Sequence, residues 1–337
     1  MKKQFMFLAL ASLGLGLASC NGGFKQSPGG MLYSIHSTKD NPKIQAGDYV
    51  FLNLVAKTDG DSILFSTYDS GQQIHLVEQK PQSKTDIFAG LQLFAEGDSA
   101  TLKIPADSVF KKPNQRPPTF KGNFLVYDIK VEKVIAKGKL DDKIFGDRIN
   151  AYLKTMMGNL QKAEPAKIKN YIAHEKLNGT QTADSLYYQI TKPGVGPNAA
   201  QGDTVVINYV GRFLNNKVFD TSIKDTAVAD KKYEASHPYK PIHIVAGGHQ
   251  VIPGWDEALM LLNKGAVATV VLPSKLAYGA NGMQIIGPYT PISFTLQIVD
   301  IIHPNPNAPK PAAVNPLMQQ MQQARPAQQQ PAQAPKK

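Results

Sequence analysis

In 337 residues this chain has one cysteine and one tryptophan. The lone cysteine, Cys20, leaves the chain without a disulfide, although an exported protein is free to use one. It also leaves no other thiol for nucleophilic work. Neither a Walker loop nor a Gly-x-Ser-x-Gly elbow is present. The seven histidines form no His-Glu-x-x-His helix. His243 and His249 have no carboxylate or thiol partner at ligand spacing, so neither a metal nor a cofactor is expected. Past Leu17 no apolar run approaches the ~20 residues needed to cross a bilayer. An enzyme made from this inventory must run a reaction that needs neither metal nor nucleophile.

The two ends are poor in what a fold requires. Lys2-Lys3, the apolar run Phe5 to Leu17 and the small residues before Cys20 read as an export signal over residues 1–19. Cys20 stands where a bacterial lipobox has its lipidated cysteine, and lipid there would be the sole anchor. Asn21 behind it goes, in resembling lipoproteins, with outer-membrane sorting. Residues 20–30 are read as a flexible tether. Pro304 to Lys337 holds eight prolines, eight glutamines and no acid, a composition that cannot offset its ordering entropy and is expected to be disordered. The formal charge of +11 comes from scattered Lys and Arg. With no basic-aromatic cluster and an envelope address, no nucleic-acid partner is expected; attraction to anionic envelope polymers accounts better for the charge.

Between the ends the chain repeats itself. Gly47-Asp-Tyr-Val-Phe-Leu-Asn-Leu-Val55 returns as Gly202-Asp-Thr-Val-Val-Ile-Asn-Tyr-Val210, identical at five of nine positions. Glu96-Gly-Asp-Ser-Ala-Thr-Leu-Lys-Ile-Pro105 returns as Lys264-Gly-Ala-Val-Ala-Thr-Val-Val-Leu-Pro273. The offsets of 155 and 168 place about thirteen extra residues in the second copy, around Lys224 to His237. A duplicated domain follows, over 31–136 and 180–303, joined by a helical linker over 137–179.

Each copy reads mainly as strands, because Thr204 to Phe213, Val267 to Leu272 and Ile292 to Ile302 are rich in β-branched and aromatic residues. The convincing helix of the second copy is Trp255 to Leu262, where Trp255, Ala258, Leu259 and Leu262 share one face. Met260 and Leu261 widen that stripe, as a curved sheet wrapped around the helix would require. The fold class is therefore α+β, two domains each with an antiparallel curved sheet around a short helix. In the linker, Asp141 to Leu160 forms an amphipathic helix with Phe145, Ile149, Tyr152, Met156 and Leu160 on one face. Pro165 opens a second helix that stops at Asn178-Gly179. That apolar face packs at home or pairs with a second copy as a homodimer.

Five blocks of the second copy stand in a definite order: Val-Ile-Asn-Tyr209-Val-Gly, Val-Phe219-Asp220-Thr-Ser, Val251-Ile252-Pro-Gly-Trp255, Leu276-Ala-Tyr278-Gly, and Ile285-Ile286 followed by Phe294. In order and spacing, over about residues 184 to 303, they resemble the signature of the FKBP-type peptidyl-prolyl cis-trans isomerases. The resemblance implies a pocket with Trp255 as its floor and Tyr209, Phe219, Val251, Ile252, Ile286 and Phe294 as its walls. It implies that the Tyr278 hydroxyl and the Ile252 N–H hold substrate carbonyls. Asp220 would lie near the twisting carbonyl, and Ala277 to Tyr289, with Ile285, would form a loop that reads the residue before proline. Ile242 stands at a wall position usually aromatic in the family. Proline-containing unfolded or exported polypeptides would be the partners, and the resemblance also implies the periplasm-facing side of the membrane.

The implied reaction suits the sparse catalytic inventory. Rotation about an X-Pro bond breaks no covalent bond, yet its barrier is ~18–20 kcal/mol, because the amide loses double-bond character on twisting. The planar amide is the more polar state, so a dry aromatic cup favours the twisted one differentially.

The first copy lacks the corresponding groups. Leu54 replaces Tyr209, Ser66 replaces Asp220, Ile87 replaces Trp255 and Phe110 replaces Tyr278, while Phe65 persists and Tyr127 stands for Phe294. It is expected to keep the fold without the activity. A second reading stays open beside the enzyme: a holdase that binds proline-containing segments without turning them over.

Overall fold

The computed structural model describes residues 23–110, 116, 120–230 and 233–304. Cys20, the export signal and nearly all of the Pro/Gln-rich tail lie outside them. The described residues divide into two compact units, one reaching to residue 65 and resuming over 75–138, the other over 66–74 and from 139 onward.

The first unit is a seven-stranded antiparallel sheet. Its strands are β1 (Lys25–Gln26), β2 (Leu32–Ser37), β3 (Tyr49–Thr58), β4 (Ile63–Ser66), β5 (Ile74–Val77), β6 (Ser99–Pro105) and β7 (Phe124–Ile135). They lie in the order β1-β2-β6-β7-β3-β4, with β5 pairing β3. Three short helices accompany them: α1 (Thr67–Ser70), which falls in the second unit, α2 (Ile87–Leu91) and α3 (Ala106–Val109). Residues 25–30, part of the expected tether, are ordered as a hairpin. Lys25 and Gln26 pair with Tyr33 and Leu32, and the Ser27 N–H donates to the Met31 carbonyl at 2.8 Å.

The linker helix α4 (Asp142–His174) opens on an Asp141 side-chain cap that accepts the Ile144 N–H at 2.8 Å. It differs from the expected pair of helices, because it runs unbroken for 33 residues with Pro165 inside. A proline removes one intrahelical hydrogen bond and crowds one carbonyl. Tertiary contacts made by Glu164 and Tyr171 on either side of it hold the helix together. α4 therefore belongs to the second unit rather than forming a separate spacer.

The second unit continues with β8 (Thr180–Gln181), β9 (Tyr187–Lys192), β10 (Val195–Asn198), β11 (Thr204–Phe213), β12 (Val218–Thr221), β13 (Ile242–Val245), β14 (Asn263–Lys264), β15 (Val267–Leu272) and β16 (Ile292–Ile302). Its main sheet runs β8-β9-β15-β16-β11-β12 with β13 on β11, the same antiparallel order as the first unit strand for strand; β10 and β14 form a separate pair. The duplication extends to irregularities. A bulge interrupts β3–β7 between Phe51 and Leu52, and its repeat interrupts β11–β16 between Val206 and Ile207. In both copies the Asp of the Gly-Asp pair folds back, with Asp48 accepting the Gln45 N–H and Asp203 the Ala200 N–H, each at 2.9 Å.

The sheet of the second unit curls around α6 (Pro253–Leu259), and α5 (Lys224–Ala229) occupies the insertion. Trp255, Ala258, Leu259 and Leu262 of the expected face are all buried in one core with β11, β15 and β16. α6 ends before Leu262 because its last turn tightens, Leu261 and Leu262 bonding back to the carbonyls of Ala258 and Leu259. This turns Met260 outward, 38% exposed, so it does not widen the apolar stripe.

One buried group separates the copies energetically. Glu78 sits where the second unit has Ala246. Their backbones match, with the Glu78 N–H donating to Asp48 (2.7 Å) and the Ala246 N–H to Asp203 (2.9 Å). The Glu78 side chain is buried and bonds to Gln92 at 3.1 Å through one oxygen, while the other has no partner among the described residues. Burial, aided by the charges of Asp86 and Asp48, pushes its pKa from 4.5 up to about 7. The folded state thus holds a proton that the unfolded state releases. Below the unfolded pKa both states are protonated; between 4.5 and about 7 stability falls as pH rises, and above that it stays lost. The ceiling is on the order of 3 kcal/mol. Glu78→Gln should therefore stabilise the first unit at pH 8 relative to wild type and change it little at pH 4, as thermal melts at the two pH values will read.

Candidate active site

The local sequence builds the site from four strands, one helix start and one loop. On β11, Tyr209 is gripped by the Phe-Asp-Thr-Ser block. The Thr221 hydroxyl donates to the Tyr209 carbonyl at 2.8 Å, and the Ser222 Oγ accepts the Tyr209 N–H at 2.9 Å. Asp220 on β12 and Phe294 on β16 are both in register with Gly211, from opposite sides of β11. A Cβ at Gly211 would lie 2.7 Å from the Phe219 ring and 2.8 Å from the Phe294 ring, so only glycine lets the two rings close over the strand. Pro253 at the first turn of α6 starts the helix abruptly and delivers Trp255 beneath these rings.

The result is an aromatic cup. The Trp255 and Phe294 rings meet edge-on at 5.0 Å and 88°, Tyr209 and Trp255 at 5.2 Å and 73°, and Phe219 and Phe294 at 5.6 Å and 84°. Such edge-to-face pairs are the arrangement that ring quadrupoles prefer. Trp255, Tyr209, Phe294 and Ile286 are buried, and Phe219, Ile242, Val251, Ile252 and Tyr278 pack half-buried against them. The cup is therefore apolar, with a few polar atoms at its side. The Tyr209 hydroxyl donates to Asp220 Oδ2 at 2.7 Å. Burial, then the Asp220 charge, pushes the Tyr278 pKa up to about 12; the same causes raise that of Tyr209. Both hydroxyls stay protonated donors at any physiological pH. Tyr209 spends its proton on Asp220, whereas Tyr278 makes no hydrogen bond to another described residue.

The structure thus gathers ten of the eleven sequence-derived site residues: Tyr209, Phe219, Ile242, Val251, Ile252, Trp255, Tyr278, Ile286 and Phe294 in one core, with Asp220 bonded to it. Ile285 is the exception, 43% exposed on the loop and outside that core. Met283 and Ile286 exchange two 2.8 Å backbone hydrogen bonds, a turn that leaves Ile285 at its tip. Gly211 was not singled out from the sequence. A glycine inside an otherwise β-branched and aromatic strand pattern is the signal that marks such a close approach. Among the described residues no group of three or more His, Cys, Asp or Glu could hold a metal.

The site is an apolar aromatic cluster at a helix start, with one indole at its base and the Tyr278 phenol beside it. Residues 196–299 match the family of FKBP-type peptidyl-prolyl cis-trans isomerases. A probable FKBP-type isomerase FkpA of Neisseria meningitidis serogroup B is 32% identical over 185 residues, which are 54% of this chain and 56% of that protein. FkpA of Escherichia coli K12 is 32% identical over 183 residues, 51% of this chain and 61% of its own. The chain thus spans 56–61% of the length of these two relatives. The crystal structure of Escherichia coli FkpA aligns over 50% of this chain and 76% of its own, at 27% identity and a TM-score of 0.39.

Proposed function

We propose that the chain is a peptidyl-prolyl cis-trans isomerase of the bacterial envelope, acting on exported polypeptides through the cup of its second unit. The observation that carries this reading is the convergence of Tyr209, Phe219, Trp255, Tyr278 and Phe294 in one apolar cluster, with Asp220 bonded to Tyr209. In this mechanism the proline ring lies on Trp255 between Phe219 and Phe294. The free Tyr278 hydroxyl donates to one substrate carbonyl. The Ile252 N–H, which no described carbonyl accepts, holds another. The cup supplies little solvation to the polar planar amide and so favours the twisted one. Each ~1.4 kcal/mol of that preference gives a tenfold acceleration.

No described helix is long and apolar enough to cross a membrane, and the envelope address rests on the sequence around Cys20, with lipid there as anchor. A homodimer through the Phe145–Leu160 stripe of α4, whose five side chains are only half-covered, belongs to the same proposal. A second reading, capture of unfolded segments without turnover, is favoured by Ile63, Leu64 and Val77, all exposed on the first unit.

The deciding measurement is exchange NMR or a protease-coupled assay on an X-Pro peptide with the whole chain. Relaxation faster than the uncatalysed tens to hundreds of seconds is expected. A rate indistinguishable from the peptide alone rejects the enzyme and leaves the holdase.

A further inference from the structure

The family match begins at residue 196, so α4 lies outside it. Yet one face of α4 is spent on the site. Glu164 and Tyr171 stand seven residues apart, on the same side of the helix. Both are buried. The two Glu164 carboxylate oxygens accept from a single residue, the backbone N–H of Ser274 and its hydroxyl, the latter at 2.9 Å. Tyr171 hydrogen-bonds through its hydroxyl to Ser293 Oγ at 3.1 Å and to Asn216 Oδ1 at 3.3 Å.

These anchor points are not arbitrary. Ser274 opens the short turn Ser274–Leu276, and its carbonyl accepts the N–H of both Ala277 and Gly279, each at 2.8 Å. Ser274 therefore fixes the backbone on both flanks of Tyr278. Ser293 directly precedes Phe294. Burying a carboxylate is unfavourable unless its hydrogen bonds are met, and an apolar residue would serve better if this face of the helix only packed. A carboxylate that meets both donors of Ser274 defines the position of that turn to within hydrogen-bonding tolerance.

We infer that Glu164 is a positioning residue for the Tyr278 hydroxyl, and that α4 is part of the isomerase rather than a spacer. This rests on the isomerase reading above. A carboxylate–serine clamp outside the matched segment sets where the phenol meets the substrate carbonyl, and small misplacements of such groups carry large kinetic effects.

The experiment is a double-mutant cycle on the whole chain. Glu164→Ala is expected to lower kcat/KM for an X-Pro peptide by about tenfold. Glu164→Gln, which keeps an acceptor for Ser274, should recover most of that loss. In a Tyr278→Phe background, Glu164→Ala should add less than about twofold, since the group it positions is gone. Wild-type activity in Glu164→Ala, or an undiminished loss in the Tyr278→Phe background, overturns the proposal. Should Glu164→Ala fail to fold, Ser274→Ala, which removes the hydroxyl arm alone, takes its place with the same expectation at smaller size. The ring resonance of Tyr278 in chain labelled with ¹³C-tyrosine is read in parallel. It should move in Glu164→Ala and stay put in Asp147→Ala, a change at an exposed site on the same helix. If wild type itself is inactive, the isomerase reading falls, and a Tyr278 resonance unmoved by Glu164→Ala still overturns the positioning claim.

Discussion

Trp255→Ala is expected to destabilise the second unit by about 3–5 kcal/mol, the range for emptying a buried aromatic site, and to abolish measurable isomerisation. The upper end applies because the site cannot collapse into the void. The indole is 3% exposed and meets Tyr209 and Phe294 edge-on. The backbone behind it is already tight, since a Cβ on Gly254 would lie 2.6 Å from Leu272 Cδ2 and 3.0 Å from the Leu276 carbonyl. The helix start is thus pinned and cannot move in to refill the space. Trp255→Leu should cost clearly less, because it fills part of the volume, and should leave a folded unit with a narrowed floor and kcat/KM down about tenfold or more. Melting followed by circular dichroism, with activity on the same samples, separates the two effects. An unchanged melting point and rate in Trp255→Ala would show that the indole neither braces nor floors the cup. As the only tryptophan in the chain, it also makes intrinsic fluorescence a probe of the cup alone, so titration with an X-Pro peptide should alter the wild-type emission.

Most of that cup was legible because its residues sit in short blocks whose types carry the chemistry. Tyr209, Phe219-Asp220, Ile252 with Trp255, and Phe294 are each fixed by local strand or helix geometry, and the repeat revealed two units with one strand order. What stayed hidden depends on contacts distant in sequence. The unbroken run of α4 through Pro165 is one case: a proline weakens a helix locally, and only the grip of Glu164 on Ser274, 110 residues away, shows why it holds. The segment 66–74 is another. It falls inside the first copy, 31–136, but groups with the second unit, with Asp69 bonding Lys217 at 2.7 Å and Asn215 at 2.8 Å. Hydrophobic periodicity contains no term for such pairs. Which of Ile285 and Ile286 faces the core was hidden for a related reason. Adjacent apolar residues in a loop carry no period to show which one turns inward, and the Met283–Ile286 turn selects Ile286.

Asp220→Ala is expected to lower kcat/KM by about tenfold to a hundredfold while leaving the unit folded, equivalent to ~1.4–2.7 kcal/mol of transition-state stabilisation. Two consequences of losing the carboxylate add. The Tyr209 hydroxyl, which donates to Asp220 at 2.7 Å inside a dry wall, is left without its acceptor, at a penalty of about 1–3 kcal/mol. The negative charge beside the cup disappears as well, and in a water-poor site such a fixed charge acts strongly on the redistributing amide. Asp220→Asn distinguishes them, since it keeps an acceptor for Tyr209 and removes only the charge. If the charge is the larger part, the Asn variant will resemble Ala; if Tyr209 orientation is, it will resemble wild type. We expect the former, because the Asp220 charge is felt as far as Tyr278, where it adds to burial in raising the phenol pKa to about 12. The pH profile supplies the independent check. With Tyr278 as a protonated donor, wild-type kcat/KM should be flat to pH 10 and fall only beyond. In Asp220→Ala one of the two causes raising that pKa is gone, so the alkaline fall should begin at lower pH. An alkaline limb that fails to move in Asp220→Ala would separate Asp220 from Tyr278, and with it the pairing on which the proposed geometry of the cup depends.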